Sequence, residues 1–309
     1  MPDLILHHFD WSPFAEKIRL VLGLKGLRWR SVQIPMIPPK PDLMPLTGGY
    51  RKTPVLQVGA DIYCDTRLIA RELERRFPAP TLFPSGNGGI ALALSHWSDT
   101  AFFEPGAGLS MALAAGVPDA VVADRKQFFT FMDFAQLGQQ TPHLLGQLRA
   151  NAWLLEQQLA DQRPYLLGTA PGWADITAYF PLWMARTFVP DAVAEPLAPY
   201  SRTAAWENRT RAIGHGYRSD IDASEALDIA KASTPERTVH RVDETDPLEL
   251  RAGEFVSVTP SDYGKVPVTG ELMTLNVESI ALLRHDPRVG DVITHFPRIG
   301  YHIVRAAKT

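Results

Sequence analysis

A single cysteine, Cys64, stands in a chain of 309 residues. That excludes an internal disulfide framework and points to a reducing compartment. Long apolar runs are missing too: nothing approaches the about 18 continuous residues of a membrane-spanning helix. Basic excess is absent, with 31 Lys and Arg against 34 Asp and Glu, a formal charge of -3 and a pI near 6.3. No positive field therefore invites nucleic acid. His7, His8 and His96 lack partners at metal-ligand spacing, so no metal is expected. The N-terminus opens acidic and enters a strand at once, which reads as no signal peptide and makes the cytoplasm the expected location. What is present is ordinary globular composition, 45% hydrophobic and 21% charged, at a length that suggests more than one domain.

Leu4, Ile5 and Leu6 mark a short buried strand that breaks at Asp10-Trp11-Ser12-Pro13. Phe14, Ile18, Val21 and Leu22 then recur on one helical face, and Gly26 closes that helix. A second strand is expected over 28–34. The proline-dense stretch 35–45 excludes regular helix or a central strand. Residues 55–58 and 62–64 flank Gly59-Ala60-Asp61 as a hairpin, and Leu68, Ile69 and Leu73 set a helix over 67–77. The order β-α-β, loop, β-β-α is that of a thioredoxin-like α/β domain, expected over 1–82.

Prolines 78, 80 and 84 with Gly86, Gly88 and Gly89 form a linker. Helical patterns follow at 91–115, 119–137, 143–161, 174–187 and 199–213, an all-α helical-bundle domain over 90–233. Beyond Pro235, stretches at 255–258, 266–272, 277–283, 291–296 and 301–304 alternate with turns, giving a small β-rich C-terminal module over 240–309. About seventy residues make a marginal core, so the module is expected to dock on the α domain. It holds no nucleophile, metal set or phosphate loop.

Three local motifs fall in the first eighty residues. A thiol attacks only as thiolate, and its ordinary pKa is about 8.5. A hydroxyl at a helix N-terminus can lower it, donating to sulfur where the helix dipole favours negative charge. Ser12 is placed for this, and equally for a plain N-cap before Pro13. Where a redox-active domain would carry Cys-x-x-Cys, this turn reads Ser12-Pro13-Phe14-Ala15; disulfide exchange is excluded and the thiol must come from a substrate. A cis Thr53-Pro54 bond would turn the Thr53 N–H and C=O outward to pair with a bound peptide as a strand does; a trans bond would merely begin a strand. Asp65-Thr66, at a strand-to-helix junction, reads as a cap or as a pair receiving an ammonium and a carboxylate. Lys40 and Lys52 suit a second carboxylate.

Residues 12–19, Ser-Pro-Phe-Ala-Glu-Lys-Ile-Arg, resemble the Ser-Pro-Phe-x-x-Lys-Val-Arg run of cytosolic glutathione transferases, and Leu24-Lys25-Gly26-Leu27 resembles its usual ending. Lys52-Thr53-Pro54-Val55-Leu56 is similar to that family's Lys-Val-Pro-Val-Leu, and Cys64-Asp65-Thr66-Arg67-Leu68-Ile69 to its Glu-Ser-x-x-Ile. Gly172-Trp173-Ala174-Asp175-Ile176-Thr177 resembles the Ser-x-Ala-Asp-Ile capping box of a central helix. The resemblance covers about 230 residues. It implies a serine-type (theta, phi or zeta-like) enzyme in which Ser12 stabilises the thiolate and the Thr53-Pro54 backbone pairs with the cysteinyl part of glutathione. Asp65 and Thr66 would hold the γ-glutamyl end, and Lys40 and Lys52 the glycine carboxylate. Three departures stand out: Asp for Glu or Gln at 65, Thr for Val at 53, and Gly172 for the capping hydroxyl.

The resemblance also implies an electrophile site between Ser12 and the first long helix of the α domain, lined by Trp11, Phe102 and Phe103. These phenylalanines, with Trp97, Phe128, Phe129 and Phe131, read equally as core; Cys64 reads as buried packing. The expected activity is glutathione transfer to a small apolar electrophile, a detoxifying reaction, by a homodimer with glutathione as cosubstrate. The arginine-rich helix (Arg67, Arg71, Arg75, Arg76) needs acidic neighbours that a dimer could supply. The alternatives are lyase, etherase, dehalogenase or isomerase chemistry on the same thiolate, or a non-catalytic ligand- or partner-binding protein.

Overall fold

The computed structural model describes residues 3–236 and 241–307. In chain order come β1 (Ile5–His8), α1 (Pro13–Leu24), β2 (Arg28–Gln33), α2 (Met44–Thr47), β3 (Val55–Val58), β4 (Asp61–Cys64) and α3 (Thr66–Arg76). Then follow α4 (Gly88–Trp97), α5 (Phe103–Leu113), α6 (Asp119–Phe128), α7 (Leu137–Gln158), α8 (Trp173–Phe188), α9 (Pro190–Leu197) and α10 (Ser201–Arg211). The chain ends with β5 (Tyr217–Asp220), α11 (Ala223–Ala232), β6 (Phe255–Pro260), β7 (Val268–Leu275), β8 (Ser279–Asp286), β9 (Gly290–Pro297) and β10 (Tyr301–Arg305). Two compact units result. One takes the chain up to Ala15, Arg28–Glu72 and the chain from Tyr217 onward; the other takes Glu16–Leu27 and Leu73–Gly216.

The first unit is organised by one sheet, in the order β10-β6-β7-β8-β9-β4-β3-β1-β2-β5. The thioredoxin-like part matches expectation: β1 runs parallel to β2 and antiparallel to β3, which pairs antiparallel with β4. The C-terminal module, expected to dock on the α domain, is anchored in the thioredoxin-like sheet. Its strand β9 runs parallel to β4, with Asp61 opposite Ile293 and Tyr63 opposite His295. An edge strand exposes unpaired N–H and C=O groups, and here two edges satisfy each other. Side chains lock the seam: His295 Nε2 lies 2.9 Å from Asp61 Oδ1, and its ring stacks on Tyr63 at 4.4 Å. The apolar core is common to both parts, with Ile5, Val55 and Ile62 clustering with Val256, Leu272, Leu282 and Phe296.

β5 is an unexpected strand on the opposite edge, parallel to β2. All four of its residues are exposed, so no apolar alternation announces it. Arg218 fastens it, donating to Asp10 at 2.8 Å.

The second unit is helical. The stretch 91–115, expected as one helix, is interrupted by a π turn over Ser98–Phe102. The 119–137 helix stops at Phe128, because Phe129 leaves helical backbone and packs with Phe103 and Phe131. α7 starts earlier than the expected 143, and Pro142 in its second turn forfeits a single hydrogen bond. Asp175, in the first turn of α8, is the hub: its carboxylate accepts the Gly172 and Leu166 N–H groups and the Trp206 indole. Glycine replaces the capping hydroxyl for lack of room; a Cβ at 172 would meet the Leu82 carbonyl oxygen and Pro84 Cδ at 2.7 Å. Among the described residues no helix is long and apolar enough to cross a membrane.

Candidate functional site

Strand register carries the sequence motifs to one end of the sheet. His7 of β1 faces Val55 of β3, and Val55 faces Cys64 of β4. The turn after β1 holds Trp11 and Ser12, the residues before β3 are Lys52, Thr53 and Pro54, and those after β4 are Asp65 and Thr66. All of them therefore gather at that end.

Ser12 is the N-cap of α1. Its backbone N–H donates to the Phe9 carbonyl at 3.0 Å, and its Oγ accepts the Ala15 N–H at 3.2 Å. With one lone pair committed to the helix, the hydroxyl keeps its proton to donate. An anionic sulfur against it would also meet the positive end of α1. Ser12 is only 3% exposed, so such a contact is largely withdrawn from water and correspondingly stronger. The Thr53-Pro54 bond is cis. Lys40 reaches this turn from below: its buried ammonium donates to the Arg51 carbonyl at 3.0 Å and to Thr53 Oγ1 at 3.2 Å. It braces the turn that carries Thr53.

Asp65 takes a φ of 77°, the left-handed region that few side-chain residues occupy. Its carboxylate repays the local geometry by accepting the Arg67 N–H at 2.9 Å. The Arg67 guanidinium adds Nε to Oδ1 at 3.2 Å and a second nitrogen to Oδ2 at 3.0 Å. Burial pushes the carboxyl up, but the charge and hydrogen bonds of Arg67 outweigh it and hold the pKa at about 2. Thr66, buried, opens α3 beside it. The Tyr301 hydroxyl lies 3.3 Å from both Asp65 Oδ2 and the Tyr50 hydroxyl. Burial raises both phenols well above their ordinary value, so they remain neutral donors. Lys52 donates to Asp262 at 2.5 Å with the Tyr263 ring 4.2 Å from its ammonium. Burial lowers the Lys52 pKa, and Asp262 opposes that shift.

Arg67, Tyr50, Tyr301, Asp262 and Tyr263 thus join a site that sequence reading built from other residues. Arg67 had a signal, its place directly after Asp65-Thr66. The module residues had none. Trp11 is 60% exposed at the site end, whereas Phe102 and Phe103 are 0% and 3% exposed within the helical unit. Phe102 packs on Trp97 and Phe103 on Phe180. Cys64 is fully buried and burial drives its thiol pKa well up, so it is no nucleophile.

A thioredoxin-like sheet with a hydroxyl-capped first helix, a neighbouring carboxylate and cations, and a helical domain after it define a class of thiol-handling proteins. Residues 6–81 match the model of the glutathione S-transferase N-terminal domain, and residues 138–209 that of the C-terminal domain. A solved GST-like protein from Pseudomonas syringae is 38% identical, with a TM-score of 0.79 over 98% of this chain and 100% of its own, strand module included. The chain belongs to the glutathione S-transferase family. More distant folds include β-etherase LigF from Sphingobium sp. strain SYK-6 (16% identity, TM-score 0.54, 68% of this chain and 95% of that one). A bacterial zeta-class maleyl pyruvate isomerase is similar at 19% identity and TM-score 0.51, over 68% of this chain and 96% of its own. No curated protein matches the chain in sequence.

Proposed function

We propose that the protein is a glutathione transferase that ionises the thiol of bound glutathione and delivers the sulfur to a small apolar electrophile. The observation that carries this is the Ser12 hydroxyl, fixed by the Ala15 N–H at the start of α1 with its proton left to donate. The ionised Asp65 receives the γ-glutamyl ammonium, with Thr66 and Arg67 beside it for the carboxylate. The Thr53-Pro54 backbone pairs with the cysteinyl part, Lys52 meets the glycine carboxylate, and Lys40 supports Thr53. Trp11 offers apolar surface to the acceptor. The thiol loses its proton to solvent on binding, sulfur bonds to the electrophilic carbon, and the leaving group departs with the bonding electrons. In this proposal the enzyme works as a cytoplasmic homodimer. Of the α3 arginines that prompted a dimer, Arg67 and Arg71 pair within the chain, with Asp65 and Glu278, so the dimer rests on family membership.

Ultraviolet difference titration tests the activation. Bound glutathione should ionise at least one pH unit below the free thiol's range, and Ser12→Ala should return it most of the way. An unshifted pKa in the unmutated protein removes Ser12 from the mechanism. Turnover of haloalkanes, aryl ethers and activated alkenes with glutathione then identifies the acceptor.

A further inference from the structure

The end of the site around Lys52 is built partly by a loop from the far part of the sheet. Residues 261–267 connect β6 to β7, and this loop supplies both Asp262 and Tyr263. Asp262 Oδ1 receives the Lys52 ammonium at 2.5 Å, and the Tyr263 ring faces the same ammonium at 4.2 Å. The Lys52 side chain is 13% exposed and that of Asp262 is 49% exposed. The cation assigned above to a ligand carboxylate is therefore already met by a carboxylate of its own chain. An arriving carboxylate would share the lysine with Asp262 and suffer its repulsion; specificity often lies in such a repulsive element. Two neighbouring cations have other hydrogen-bond partners. Lys40 is turned to the Arg51 carbonyl and the Thr53 hydroxyl, and Arg67 to Asp65. A ligand end bearing an amide or an ammonium meets no repulsion and can donate to the exposed oxygen of Asp262.

We propose that Asp262 is a specificity-determining residue, which sets the site for γ-glutamyl-cysteinyl peptides whose C-terminal end is uncharged or cationic, such as an amidated or amine-extended glutathione. This rests on the glutathione reading above and ranks an amidated or amine-extended form over free glutathione, whose glycine carboxylate must share Lys52 with Asp262. Asp262 acts through Lys52 and by its own charge, and takes no part in sulfur activation.

Titration calorimetry of the full chain with two probes, glutathione and its glycine amide, provides the test. The amide should bind about threefold to fivefold more tightly, the scale of an exposed ion pair. Asp262→Asn should abolish that preference by tightening glutathione while leaving the amide within about twofold. Asp262→Glu should retain the preference, and Lys52→Gln should deepen it, because Asp262 then loses the Lys52 ammonium. A ratio of two affinities is not moved by partial loss of folded protein, so a merely structural role would leave it unchanged. If both probes bind and Asp262→Asn does not shift the ratio, the assignment of Asp262 is overturned while the glutathione reading stands. If neither probe binds the unmutated protein, the glutathione reading itself falls, and this inference with it.

Discussion

Asp65 combines two tasks that usually conflict. It is nearly enclosed, yet Arg67 holds its pKa at about 2, so it stays charged through the physiological range, as the proposed receptor role requires. Asp65→Asn keeps the size and the tolerance of left-handed backbone but removes the charge. We expect glutathione binding to weaken about 30-fold, roughly 2 kcal/mol, with the thiol pKa of the bound fraction unchanged because Ser12 is untouched. Calorimetry and the thiolate difference spectrum, with a melting curve as control, check this; an equal loss of the pKa shift would move Asp65 into the activation step. Ser12, Asp65 and Thr66 were legible in sequence because capping and strand-to-helix junctions are local chemistry. Arg67 stood in view but read as one of a row of arginines. Asp262 and Tyr301 were not legible, since they reach the site from 210 and 236 positions away.

Between elements, a buried polar chain ties β1, β3 and α11. Gln57 commits its amide nitrogen to the Gly59 and Ala226 carbonyls at 3.0 and 2.8 Å, so its oxygen faces His7 Nε2 at 2.8 Å. His7 must then carry its proton on Nε2 and stay neutral. Burial lowers its pKa from 6.5 to about 4, against the help of the Gln57 hydrogen bond. The unfolded chain thus binds one more proton than the folded one between these values, and stability falls as pH drops from about 6.5 towards 4. The full effect is about 3 kcal/mol. Urea unfolding at pH 7, 5.5 and 4.5 should show a loss that His7→Gln, which keeps a donor, largely flattens. Parallel curves for the two proteins would show that other groups govern the acid limb. Element types in β1–β4 followed from short apolar runs between turn residues, and those in β6–β10 from alternation between turns. The π turn at Ser98–Phe102 did not, because the apolar pattern runs through it without a Gly or Pro. β5 escaped because ladder bonds to β2 hold it in place of apolar burial.

For the first unit as a whole, the decisive fact is that the C-terminal strands share a core with the thioredoxin-like strands. The strand content of the module was readable from its alternation, while its anchor was not, because β4 and β9 carry no mark of mutual pairing. A module docked on the α domain, as the sequence led one to expect, could be deleted after Ser233 at a cost in stability but with the glutathione contacts intact. The structure points the other way. Deletion strips the β9 ladder from Asp61–Tyr63, takes Tyr301 from Asp65 and Asp262 from Lys52, and opens the core over Ile62 and Val55. Each large apolar side chain returned to water costs about 1.5–3 kcal/mol, and a domain's whole margin is about 5–15 kcal/mol. On the retained half, Leu46, Tyr50, Val55 and Ile62 cluster with the deleted strands and would lose cover, and a few such side chains amount to much of that margin. The chain ending at Ser233 should therefore be insoluble or lack a cooperative melting transition, and should not retain glutathione. A truncated protein that melts cooperatively near the temperature of the full chain and binds glutathione with similar affinity would show that the strands from β6 onward are an appendage, and that β4 tolerates an open edge.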